Sequence, residues 1–126
     1  AVLGASHDDL LNDLHTFGFM FEALCERDLR IYAESLGGEL YHYQDYKNRE
    51  IDAIVQLQDG RWGAFEIKLG ANAIDDAARS LMEIRNALEA EGAKTPDILA
   101  VLCGLSNYAY RREDGVYVVP ITALGP

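Results

Sequence analysis

A chain of 126 residues, 49% hydrophobic and 25% charged, is sized for one domain with one core and is too apolar for a disordered segment. No apolar run approaches the ~20 residues that span a bilayer, and the opening AVLGASHDDLL has neither the basic start nor the long apolar stretch of a secretory signal. The formal net charge of −10 argues against tight, unaided binding to nucleic acid, whose partners usually present basic patches. The first residue is not Met, and the chain is expected to be a piece of something longer.

The elements follow in order. Asp8 to Leu14 fits a short helical turn. From Thr16 to Leu36 the apolar residues Phe17, Met20, Phe21, Leu24, Cys25, Ile31, Tyr32 and Leu36 recur at helical spacing, with Thr16 as N-cap and Gly37-Gly38 as the stop. Glu39 to Asp45 alternates as a strand does, and Tyr46 to Arg49 is a polar turn. Glu50 to Leu57 and Arg61 to Leu69 are two further strands around Gln58-Asp59-Gly60. Ile74 to Leu88 is an amphipathic helix with the stripe Ile74, Ala77, Ala78, Leu81, Ile84 and Leu88, capped by Asn72 and ended by Gly92 and Pro96. Asp97 to Cys103 contains an unbroken apolar run, as in a strand buried on both faces. Tyr108 to Glu113 and Val116 to Pro120 close the chain as a hairpin over Asp114-Gly115. The expected fold is α/β: one domain over residues 1–126, an αβββαβ core with a mixed sheet flanked by helices, and a C-terminal β-hairpin.

The hairpin IDAIVQL-QDG-RWGAFEIKL admits two registers, and they differ chemically. A two-residue loop pairs Gln58 with Arg61 and sets Asp52 opposite Ile67. A three-residue loop pairs Leu57 with Arg61 and sets Asp52 opposite Glu66. In the first, Ile51, Ala53, Val55 and Leu57 share a face with Glu66 and Lys68, and burying two charges among apolar residues is costly. In the second they share it with Phe65, Ile67 and Leu69. The three-residue loop is therefore expected, with Gly60 as its left-handed residue. That choice puts Asp52, Glu66 and Lys68 together on the opposite face. Two hard carboxylates a few Å apart suit Mg²⁺ or Mn²⁺, and a nearby ammonium can orient water or stabilise charge on a phosphate. The same three side chains also fit a solvated strand face with a cross-strand ion pair.

Asp52 followed by Glu66-Ile67-Lys68 resembles the D…ExK core of PD-(D/E)xK nucleases, the restriction-endonuclease-like fold that includes archaeal Holliday-junction resolvases. In those families a glutamate on the first helix joins the metal site, and Glu22 in Phe21-Glu22-Ala23-Leu24 matches that place. The stretches FGFMFEALCERDLRIYA, EIDAIVQLQDGRWGAFEIKLG and AYRREDGVYVVP are similar to an uncharacterised C-terminal domain of prokaryotic AAA-type ATPases. This resemblance implies Asp52, Glu66 and Lys68 as catalytic residues, Glu22, Asp52 and Glu66 as metal ligands, and DNA as a substrate delivered by an N-terminal ATPase part. No GxxxxGK[ST] loop occurs in the chain itself. A catalytically inactive accessory domain, docking through its surface, is the alternative.

Cys25 and Cys103 sit in apolar contexts and read as buried free thiols of a cytoplasmic protein. His7, His15 and His42 lack metal-ligand spacing. Asp28 projects into the apolar stripe of the first helix and reads as a buried carboxylate paired with an arginine. Arg79 and Arg85 are placed to reach a phosphate, although such residues are more often solvated. Trp62, on the Glu66 face, either stacks a base or covers the sheet under a helix. Arg111-Arg112 is a short basic pair.

Overall fold

The computed structural model describes residues 7–44, 49–104 and 108–121, with side chains from Met20 onward. Helix α1 (His7–Ser35) is followed by strands β1 (Glu39–Gln44), β2 (Glu50–Gln56) and β3 (Trp62–Lys68). A 3-10 turn (Ala71–Ala73), helix α2 (Ile74–Ala90) and strands β4 (Ile98–Cys103), β5 (Tyr110–Arg111) and β6 (Tyr117–Pro120) complete it. The fold is α/β, with one mixed six-stranded sheet in the order β1-β2-β3-β4-β6-β5. β1, β2 and β3 form an antiparallel meander, and β4 joins β3 in parallel through α2, as a crossover requires.

The two helices cover opposite faces. Under α1, Phe21, Cys25, Leu29 and Ala33 pack on Ala53, Val55, Ile67 and Leu102. Under α2, Ala77, Ala78, Leu81 and Ile84 pack on Ile51, Ala64, Leu99, Val101 and Cys103. β4 feeds both layers with alternate residues, which is why Ile-Leu-Ala-Val-Leu carries no polar position. Both cysteines are buried and free, and burial pushes the Cys25 thiol up to about 12.

The β2–β3 hairpin has the three-residue loop. Leu57 N–H donates to the Arg61 carbonyl at 2.8 Å, and the ladder runs Gln56↔Trp62, Val55↔Gly63, Ile54↔Ala64 and Ala53↔Phe65. Gly60 takes φ +90° and its N–H closes the turn on Leu57. Ala53, Val55, Leu57, Phe65 and Ile67 all face α1, as the register argument requires.

Ile51 departs from that row. β1 and β2 change register between the pairs Tyr41↔Ile54 and Tyr43↔Ile51, so His42 alone faces both Asp52 and Ala53. This β-bulge breaks the alternation: Ala53 stays under α1 while Ile51 turns into the core under α2.

Two boundaries also differ from the periodicity. α1 runs unbroken from His7, so Thr16 lies inside it and not at its start, and the expected turn at Asp8–Leu14 is part of the same helix. Its C-terminus ends as expected, with Gly37 at φ +74° and Gly38 N–H on the Ala33 carbonyl. Asn72 lies in the 3-10 turn, and the N-cap of α2 is Ala73, with no side-chain cap. Asp45 and the expected turn at Tyr46, Lys47 and Asn48 lie outside the described residues.

Candidate functional site

β3 is an interior strand with β2 on one side and β4 on the other, so its side chains are covered wherever a helix lies above them. Glu66 is 6% exposed and is the one buried charged side chain among the described residues. A carboxylate in such a place is costly unless it is neutralised, paired or put to use. Burial pushes the Glu66 carboxyl up from its ordinary 4.5 to about 9. The hydrogen bond with Asp52 and the Asp52 charge push the same way, and the Lys68 ammonium pulls it back. Around neutral pH the pair therefore holds a proton.

Asp52 is fixed by the end of the ladder. Hydrogen-bonded rungs alternate from Leu57/Arg61, so the next rung beyond Ala53/Phe65 falls at Ile51/Ile67. There the Ile67 N–H meets the Asp52 carboxylate, at 2.9 Å to Oδ2. The bulge that displaces Ile51 thus also aims Asp52 at β3, while the Asp52 carbonyl accepts from His42 Nδ1 at 2.8 Å.

Lys68 ends β3 on the same face as Glu66, and both line a cavity of about 400 Å³ with Asp52, Arg49, Glu50, Ser80 and Glu83. The cavity opens at the carboxyl end of a strand that leads into a crossover helix, a usual place for ligands in α/β sheets. Glu22 sits on α1, exposed to solvent but within the field of the site. Partial burial raises its pKa, the Asp52 charge raises it further, and Lys68 lowers it. The structure therefore brings Asp52, Glu66 and Lys68 round one cavity and leaves Glu22, on α1, outside its lining.

Arg49, Glu50, Ser80 and Glu83 are lining residues that periodicity did not single out. Ser80, Glu83 and Ile84 share one side of α2 at i, i+3 and i+4 spacing. That spacing is visible in the sequence, but it points to a site only once α2 is known to lie over β3 and β4. Arg79 and Arg85 do not line the cavity. They pair along α2 with Asp76 and Glu89, each at 3.0 Å. Trp62 packs against the α2 layer. Asp28 is half-buried and has no arginine partner among the described residues, contrary to expectation. Arg112 is held between Asp75 and Asp114. His42 is exposed, 3.9 Å from Glu26, and the side chains of His7 and His15 lie outside the described residues.

The donor set bears on the expected Mg²⁺ or Mn²⁺. No group of three or more His, Cys, Asp or Glu side chains is arranged to hold a metal among the described residues. Two carboxylates nonetheless fit Mg²⁺, which keeps several waters and is commonly held by one or two carboxylates plus substrate phosphates. No helix among the described residues is long and apolar enough to cross a membrane.

Fold and site together define an α/β domain with a buried glutamate set against a half-buried aspartate and a lysine at the end of a central strand. The chain belongs to the family described as Domain of unknown function (DUF4143), whose family model matches residues 17–124. No curated protein and no solved structure matches it in comparison.

Proposed function

We propose that this domain is a divalent-metal-dependent phosphodiesterase of the PD-(D/E)xK type, acting on DNA in the cytoplasm beside an AAA-type ATPase part of the same protein. The observation that carries the reading is the buried Glu66, placed against Asp52 in a register that the apolar residues alone impose. The order α1-β1-β2-β3-α2-β4 agrees with the αβββαβ core of such nucleases. Fold alone does not decide activity, so the argument rests on the site.

Asp52 and Glu66 would hold Mg²⁺ or Mn²⁺, with Glu22 serving it from the margin. When bound, the ion supplies Lewis-acid polarisation and a more acidic water. The chain's own residues do the rest. Asp52 is oriented by the Ile67 N–H, so its carboxylate is aimed before any ligand arrives. Glu66 must give up its proton to act as a ligand, which couples binding to pH. Lys68 supplies fixed positive charge where a phosphate becomes more negative during attack. α2 walls the cavity and limits water around these charges.

The net charge of −10 favours a second reading, an accessory domain that docks through its surface, because phosphate neutralisation dominates nucleic-acid affinity. Delivery of DNA by the ATPase part would raise its effective concentration at the site. Cleavage assays decide between the two. With Mn²⁺ or Mg²⁺, the chain alone should cut labelled DNA slowly or not at all. The protein with its ATPase part should cut it, and Lys68→Ala should abolish cutting. No cutting of single-stranded, duplex or branched DNA by that longer protein leaves the accessory reading standing.

A further inference from the structure

A second cavity adjoins the first on the same face of the sheet. α2 lies over β3 and β4 and leaves the β1–β2 part of that face open. The opening is a groove of about 410 Å³ lined by Tyr41, Tyr43, Ile54, Gln56, Trp62 and Leu88. The two cavities draw on the same three elements. On α2, Ile84 lines the first and Leu88 the second, one turn or about 6 Å apart. On β2 the neighbours are Asp52 and Ile51, and on β3 Glu66 and Trp62 stand on one face.

Their chemistries differ in a complementary way. The first cavity carries the carboxylates, Lys68 and Arg49. The second has no carboxylate, lysine or arginine in its lining. It offers the rings of Tyr41, Tyr43 and Trp62, the imidazole of His42, whose Nδ1 is already engaged by the Asp52 carbonyl, and one exposed amide, Gln56, which can both donate and accept. That combination suits a flat, uncharged group with hydrogen-bonding edges. The separation runs from about one helical turn on α2 to four strand residues, about 13 Å, between Glu66 and Trp62 on β3, the scale of one nucleotide from its phosphate to the far edge of its base.

The geometry points to an unpaired nucleotide as the unit this site takes, its phosphate at Asp52, Glu66 and Lys68 and its base in the aromatic groove. This rests on the phosphodiesterase reading above and deepens it to a substrate class. A base within a duplex is stacked and paired on its edges, so only a single-stranded or extruded base can enter. Stacking on aromatic side chains is tolerant of sequence, and no strong base preference is expected.

Trp62 is the only tryptophan of the chain, so its fluorescence reports on the groove. At low salt, an eight-residue oligothymidylate or oligouridylate should quench it, and a blunt duplex of the same length should bind at least tenfold more weakly. The DNA and RNA oligomers separate two sources of the same ligand chemistry, and saturable quenching by either supports the groove. Tyr41→Ala and Gln56→Ala remove exposed side chains and should each weaken quenching roughly three- to tenfold. Arg79→Ala, which removes a side chain outside both cavities, should leave it unchanged and serves as the control. No quenching by either oligomer, equal quenching by the duplex, or quenching only by peptides would overturn the assignment. Quenching that persists in a protein that binds no Mn²⁺ would uphold the groove and remove the metal reading alone.

Discussion

The two hairpins of this molecule are built on one local plan and end in different roles. β2–β3 turns through Gln58-Asp59-Gly60 and β5–β6 through Glu113-Asp114-Gly115. In each the glycine takes φ +90°, and the aspartate Oδ1 accepts the N–H two residues on, at 3.0 Å, from Arg61 in one and Val116 in the other. In each, the glycine N–H also closes back on the residue three before it. Turn chemistry is thus local and repeatable. The difference lies beyond the turn. β2 and β3 run seven residues each through the centre of the sheet and carry Asp52 and Glu66 between two helices. β5 is two residues long and lies at the sheet edge. A loop sets a register, and a site arises only where that register is extended under cover.

The largest expected effect comes from Glu66, which has no counterpart in the edge hairpin. Its folded pKa of about 9 stands above the ordinary 4.5, so the folded chain holds a proton that the unfolded chain releases. The stabilisation is fully present below about pH 4.5 and is lost as pH rises through 9. At the limit of about 1.4 kcal/mol per pH unit, Glu66→Gln should gain on the order of 4 kcal/mol relative to the natural chain between pH 5 and 8. Urea unfolding at the two pH values checks this, and parallel pH profiles for the two proteins would contradict it.

Next come the loop glycines. Gly60→Ala and Gly115→Ala each force a side chain into the left-handed region and should cost about 1–2 kcal/mol. Only Gly60→Ala should also weaken Mn²⁺ binding, because only its hairpin aligns the carboxylates. Equal loss of Mn²⁺ affinity in both variants would erase the distinction between the hairpins.

The smallest effects come from the loop aspartates. Asp114→Ala frees Arg112, which also pairs with Asp75, and should cost about 0.5–1 kcal/mol. Asp59 is exposed, its carboxyl held below the usual range chiefly by the Arg61 N–H, and Asp59→Ala should lower the melting temperature less than Asp114→Ala. The reverse order would show that the edge hairpin is the less organised of the two.

Much of this was legible in the sequence. The alternation of Ala53, Val55 and Leu57 against Phe65 and Ile67 chose the loop length, and the loop length placed Glu66 beside Asp52. Ile74 to Leu88 announced α2 because one stripe of that helix is buried. Other features were hidden for physical reasons. The bulge at Asp52 and Ala53 leaves no periodic mark, since Ile51 is apolar on either face. α1 outran its expected start because an N-cap residue such as Thr16 is compatible with a helix interior when the preceding residues also form helix. Asp28 has no arginine partner among the described residues because a half-buried helix position can reach water. Glu83 entered the site by tertiary packing alone.

The central claim is that Asp52 and Glu66 form one cation site. Calorimetry with Mn²⁺ at pH 8 in two buffers of different ionisation heat tests it directly. The account predicts one site, heats that differ between buffers because binding releases the Glu66 proton, and loss of binding in both Asp52→Ala and Glu66→Gln. Binding that is unchanged in Asp52→Ala, or no binding by the natural chain at millimolar Mn²⁺, would contradict it.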